Sequence, residues 1–186
     1  MLRMRVLSIL VLAGLLLTSC SAPETQVVVE PTVGITPEST CTLEPVVVPT
    51  PADTPGYAQL DETTGLHYTG TYVDFDFDAW TLVVEGEVNQ PLSLTYDEIR
   101  CMDKVEQDPV LVCPGFFEDH FSWSGVRLAD VLALADPTED ATTIRIFGRD
   151  GYSQKITLET AMAETSLLAW EWEDQILPAI HGFPLR

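Results

Sequence analysis

Positive charge is scarce in this chain. Its 186 residues carry 9 Lys and Arg against 29 Asp and Glu, a formal net charge of −20 at pH 7. Such an acidic surface repels nucleic acid and gives no electrostatic hold on anionic lipid, so both are excluded as charge-driven partners. Histidine is rarer still, with only His67, His120 and His181, far apart in sequence. No Cys-x-x-Cys pair occurs among the 4 cysteines, so neither a zinc-ribbon spacing nor a thioredoxin-type redox motif is present. The one long apolar run, residues 6–17, is too short to span a bilayer comfortably. No internal repeat is visible.

What stands at the front of the chain is an export pattern. A basic start, Met1-Leu2-Arg3-Met4-Arg5, precedes the apolar run, which closes in Leu17-Thr18-Ser19-Cys20. That ending resembles the bacterial lipobox, and the resemblance implies a signal peptide over residues 1–19 and lipidation of Cys20. The expected location is the cell envelope, on the extracytoplasmic face of a membrane, held by lipid rather than by a helix. Arg3-Met4-Arg5 is not a twin-arginine motif. From residue 20 to 64, Pro recurs at 23, 31, 37, 45, 49, 51 and 55 among Thr, Ser and Glu. Such a stretch buries too little apolar surface to offset its ordering entropy and predicts a disordered tether. Residues 65–186 are left as one domain of about 120 residues.

Removing residues 1–19 takes away Arg3 and Arg5, leaving Arg100, Lys104, Arg127, Arg145, Arg149, Lys155 and Arg186 as the basic side chains. Any anionic ligand must be met by some of these. Cys41, Cys101 and Cys113 allow a Cys41–Cys101 or a Cys101–Cys113 disulfide, and both pairings stay open at this level. Cys113 ends the apolar run Val110-Leu111-Val112-Cys113 and is followed by the breaker Pro114-Gly115. A thiol so placed is held by a rigid element and presented to a loop-lined face, where a soft metal ligand or a nucleophile belongs.

The rest of the domain reads as short strands with a few short helices, a mixed α+β pattern. A strand over Trp80–Val88 is broken at Gly86. Ser93 or Thr95 is placed to cap a short helix through Tyr96–Arg100. Residues 116–122 read as a loop. Leu128, Val131, Leu132 and Ala135 form a helical stripe after Ser124, ended by Asp136-Pro137, with Trp123 an aromatic anchor and Gly125 a close-packed helix start. Thr143–Phe147 and Tyr152–Ile156 read as a hairpin around Gly148-Arg149-Asp150-Gly151. Thr157 is placed to cap a short helix over Leu158–Glu164, and a strand over Leu167–Trp172 follows.

This order of segments resembles the oxidoreductase molybdopterin-binding domain, the fold of sulfite oxidase and of periplasmic methionine-sulfoxide reductase catalytic subunits. The matching pieces are Trp80–Val88 with Pro91, Leu111-Val112-Cys113, Trp123-Ser124-Gly125-Val126, Asp150-Gly151-Tyr152-Ser153, and Leu177-Pro178 with His181-Gly182-Phe183-Pro184-Leu185-Arg186. The resemblance implies a mixed β-sheet, barrel-like core with short helices and a molybdenum–molybdopterin cofactor. It implies that Cys113 ligates molybdenum and that His181 and Arg186 hold the pterin phosphate. The implied activity is extracytoplasmic oxygen-atom transfer, on a small oxyanion, sulfoxide or N-oxide. A separate electron-transfer partner is implied too, because no Cys-x-x-Cys-His haem site is present. Family domains continue past the point reached at Arg186, so the expected domain is truncated at its C-terminus. The alternative function is a cofactor-free lipoprotein of the same fold that binds a ligand or a partner protein. His120 is either a residue of the substrate face or a solvated loop side chain.

Overall fold

A computed structural model describes residues 41–50 and 56–186. The leader, Cys20 and most of the first half of the expected tether lie outside the described residues. Among the described residues, ten strands and three α-helices follow in the order β1 Leu82–Val84, β2 Leu92–Leu94, α1 Tyr96–Arg100, β3 Val105–Gln107, β4 Val110–Cys113, β5 Phe117–His120, β6 Trp123–Arg127, α2 Leu128–Ala135, β7 Thr143–Phe147, β8 Ser153–Thr157, α3 Leu158–Ala161, β9 Leu167–Trp172 and β10 Gln175–Ile176. A 3-10 turn at Ala179–His181 follows.

The largest sheet is four-stranded and antiparallel, in the order β10-β9-β6-β3, and three two-stranded ribbons, β1-β2, β4-β5 and β7-β8, surround it. The α+β expectation holds. The barrel-like element does not extend to closure, since these sheets do not join into a barrel among the described residues. A two-stranded ribbon is marginal alone and must lay one face on something else. The core supplies that support, with Trp170 2% exposed and Leu66, Ile99, Val126, Val131 and Leu177 fully buried.

Local chemistry sets most boundaries. Thr95 Oγ1 accepts from the Glu98 amide at 3.3 Å while Glu98 Oε2 accepts from the Thr95 amide at 2.7 Å, a reciprocal capping box that starts α1. Leu128, Val131, Leu132 and Ala135 bury one face of α2, and Asp136 ends it in the left-handed region at φ 52°. Thr157 caps α3 through the Thr160 amide.

Three expectations need correction. The loop expected over residues 116–122 contains β5, whose inward positions are Phe117 and Asp119. A carboxylate at an inward position hides the alternation that marks a strand. Gly125 is not a helix start: it lies inside β6, which runs on to Arg127 before α2 begins. The disordered tether does not reach residue 64. The Ala58 amide donates to the Tyr68 carbonyl at 2.7 Å, and the Tyr68 amide donates to the Gln59 carbonyl at 2.9 Å. Upstream, Val46 packs on the core and the Glu44 carbonyl accepts from Arg100. The polar composition of this stretch misleads because its partners lie far along the chain. Of the two pairings left open, the structure holds Cys41–Cys101, with 5.7 Å between Cα atoms, and leaves Cys113 free.

At Gly125 the backbones of β6 and β9 approach so closely that a Cβ would collide with the Leu168 carbonyl oxygen and lie 2.7 Å from the Ala169 Cα. Backbone atoms on a central strand cannot give way. Gly125→Ala is therefore expected to cost about 3 kcal/mol, whereas Gly70→Ala, with nothing within 4 Å, should stay within about 0.5 kcal/mol of the parent. Urea unfolding of both variants checks this; equal midpoints would deny the close approach.

Candidate functional site

A cleft of about 1100 Å³ opens between β1, α2, the β7-β8 hairpin and the loop 179–186. Cys113, His181 and Arg186 all line it, although they come from different elements. Each is set by local geometry.

Cys113 is the last residue of β4 and is half-buried. The turn that follows is closed by the Phe116 amide donating to the Cys113 carbonyl at 2.9 Å, with Gly115 at φ +81°. The Tyr57 hydroxyl lies 3.8 Å from Sγ, and that contact, with the charge of a thiolate, raises the Tyr57 pKa. The Tyr57 and Phe116 rings stand edge to face beside it, 6.3 Å apart.

His181 ends the 3-10 turn and is 3% exposed. Its Nε2 lies 2.9 Å from Asp61 Oδ2 and 3.2 Å from Thr64 Oγ1. Its Nδ1 is buried and has no hydrogen-bond partner. Burial lowers the His181 pKa, and the bond to Asp61 only partly opposes it, so the imidazole is neutral near pH 7. Burial also pushes the Asp61 carboxyl up, but hydrogen bonds from His181, Thr64 and the Thr63 amide outweigh it and hold the carboxyl below its usual range.

Arg186 pairs its backbone with Ala169 in both directions, at 2.7 and 2.9 Å. Its guanidinium lies 5.1 Å from the Trp123 ring centroid and donates to the His181 carbonyl at 3.3 Å. Burial lowers its pKa, yet a guanidinium remains a cation at any physiological pH.

The basic side chains are sorted by place. Arg100, Lys104 and Arg127 are paired with Asp97, Glu171 and Asp130. Arg145, Arg149 and Arg186 line the cleft, and among the described residues none of them has a carboxylate within ion-pair distance. Arg149 lies 4.7 Å over the Phe75 ring. Lys155, on β8, also has no ion pair among the described residues but lies outside the cleft, so three of the four cations without an ion pair share one concave surface, which favours an anionic ligand there.

His120 does not join them. Its side chain is 67% exposed beside Glu118, and it borders a separate shallow hollow with Asp108 and Glu173. Tyr152 is on the cleft rim and exposed. Sequence reasoning missed Tyr57, Asp61 and Thr64 because they sit in the stretch assigned to the tether. Asp61-Glu62-Thr63-Thr64 carried a local turn signal, but nothing local points to a histidine 120 residues away.

A model of the oxidoreductase molybdopterin binding domain matches residues 69–186. The uncharacterized oxidoreductase YuiH of Bacillus subtilis is 31% identical over 112 residues, covering 60% of this chain and 57% of that protein. A putative protein-methionine-sulfoxide reductase subunit, YedZ1, of Azospira oryzae is 28% identical over 113 residues, covering 61% and 43%. The chain thus spans about half the length of these curated relatives. The crystal structure of the sulfane dehydrogenase SoxCD from Paracoccus pantotrophus superposes with a TM-score of 0.58 at 16% identity, covering 72% of this chain and 44% of that one, a likeness of fold.

The buried neutral His181 sets a pH dependence. Free histidine titrates near about 6.5, and the folded value is lower. Below that ordinary value the unfolded chain binds a proton that the folded chain does not. The contribution is therefore fully present above about 6.5 and is lost as pH drops from there toward the folded pKa. Urea unfolding at pH 7.5 and 5.5 should show this loss, and His181→Gln should reduce the slope. An identical slope in the variant would remove His181 as its source.

Proposed function

Because the chain belongs to the oxidoreductase molybdopterin-binding domain family, with molybdenum–molybdopterin as its cofactor, we propose that it is a lipid-anchored extracytoplasmic oxidoreductase whose metal is ligated by Cys113 and whose reaction is oxygen-atom transfer. The observation that carries this reading is the convergence of a free thiol and unpaired arginines on one cleft. When bound, the cofactor supplies two-electron oxygen-atom-transfer chemistry that side chains lack.

The residues present suit such a group. Cys113 offers the soft sulfur donor that molybdenum takes, from a rigid strand end. The thiolate binds, so loading releases the Cys113 proton. Arg186 uses one guanidinium hydrogen bond on the His181 carbonyl and keeps further donors for a phosphate. Arg145 and Arg149 add charge for the rest of an anionic cofactor. The leader and Cys20 support export and lipidation, and the Cys41–Cys101 disulfide supports an oxidising compartment. A small oxyanion, sulfoxide or N-oxide is the substrate class in this reading. The name of the Azospira relative, a methionine-sulfoxide reductase subunit, supports the sulfoxide option and a separate electron-transfer partner.

Molybdenum and pterin analysis of the protein taken from its native membrane should find about one of each per chain. Cys113→Ser should lower molybdenum-linked turnover by ~100-fold or more with an unchanged far-ultraviolet circular dichroism spectrum. Retained turnover would remove Cys113 as the ligand. Folded parent protein without molybdenum would leave a ligand- or protein-binding module of the same fold.

A further inference from the structure

Residues 56–68 precede the stretch matched by the family model, which begins at residue 69, yet they touch the site at three places. Tyr57 meets Cys113. His67 donates from its backbone to Asp119 Oδ2 at 2.9 Å and sets its ring Nδ1 2.6 Å from Oδ1. Asp119 is on β5, the partner strand of β4, so this contact pins the Cys113 hairpin. Asp61 meets His181. We propose that Asp61 and His181 form a latch that holds the loop 178–186, and with it Arg186, in place, so that His181 is a positioning residue rather than a phosphate donor.

The protons on His181 decide its role. The ionised Asp61 carboxylate only accepts, so Nε2 at 2.9 Å carries the ring proton. A neutral imidazole has one N–H, and here it is spent on Asp61 and Thr64. The other nitrogen, Nδ1, then bears a lone pair and has nothing to donate to a phosphate oxygen; it is also buried. What His181 holds instead is the loop. Its amide donates to the Pro178 carbonyl at 3.0 Å and its carbonyl receives the Arg186 guanidinium. The next residue, Gly182, packs so closely that a Cβ there would stand 3.1 Å from the Arg186 Cβ.

Asp61 is equally fixed on its own side. Its backbone oxygen accepts from Gly65 at 2.7 Å, its amide donates to Leu66, Oδ1 accepts from the Thr63 amide at 3.0 Å, and Oδ2 accepts from Thr64 Oγ1 at 2.8 Å. A rigid carboxylate on residues 56–68 therefore sets the position of a cation on residues 178–186.

The latch itself is independent of the cofactor; its effect on loading rests on the reading that Arg186 meets the pterin phosphate. The test uses the full chain with its disulfide intact. In the metal-free protein, amide hydrogen exchange at Arg186, whose N–H bonds to Ala169, should quicken about tenfold in Asp61→Ala and in His181→Leu, and no further in the double variant. Thr64→Val, a milder change, should quicken it less and keeps the test open if either variant unfolds. Imidazole nitrogen spectra should show His181 protonated at Nε2 and unmoved by added inorganic phosphate. In protein purified with cofactor, molybdenum and pterin content should fall to a similar degree in the two single variants, with no added loss in the double.

Exchange unaffected by Asp61→Ala and Thr64→Val, a proton on Nδ1, or a saturable shift of the His181 ring with phosphate would overturn the latch. Additive losses of cofactor would do the same. Parent protein without molybdenum would sink the cofactor reading alone, since exchange still decides the latch.

Discussion

The close approach of β6 to β9 at Gly125 is the constraint on which the other features depend. With no side chain there, the two central backbones pair along Trp123–Arg127 and Leu167–Trp172 across a bulge between Ser124 and Gly125. This places Trp123 and Trp170 in the core, 5% and 2% exposed. It also prepares the site, because Ala169 of β9 exchanges backbone hydrogen bonds with Arg186, and Trp123 of β6 supplies the ring beneath the Arg186 guanidinium. The same contact builds the core and seats a cation. A residue larger than glycine at position 125 would move both.

Electrostatics then divides the molecule. The cations outside the cleft that hold an ion pair, Arg100, Lys104 and Arg127, each sit against a carboxylate, and exposed pairs of this kind add little stability. Arg145, Arg149 and Arg186 stand over aromatic rings instead. A ring face attracts the cation without neutralising it, so the charge stays available to a ligand. In a chain of net charge −20, this arrangement is what makes an anionic occupant favourable in the cleft.

Much of the fold was readable because its signals are local. The threonine caps of α1 and α3, the apolar stripe of α2, the β7-β8 hairpin with its Gly-Arg-Asp-Gly turn and the β9 strand depend on neighbours within a few residues. What was misread involves distant partners. β5 looks like a loop until His67 is seen against the inward Asp119. Gly125 looks like a helix start until the β9 backbone is placed against it. Residues 56–64 look like tether because Tyr57, Asp61 and Thr64 find their partners at Cys113 and His181, more than fifty residues away.

Composition, periodicity and the order of nearby residues suffice for the acidic character, the short-strand α+β pattern and the thiol at a strand end before a breaker, while the family follows from the resemblance of the chain's segments to known members. Folding alone pairs Cys41 with Cys101, leaves Cys113 free, gathers three arginines in the cleft and sets His181 Nε2 against Asp61. Those are relations between side chains far apart along the chain. Their distances are set by how β6 and β9 pack, and no local pattern of residue types encodes a distance.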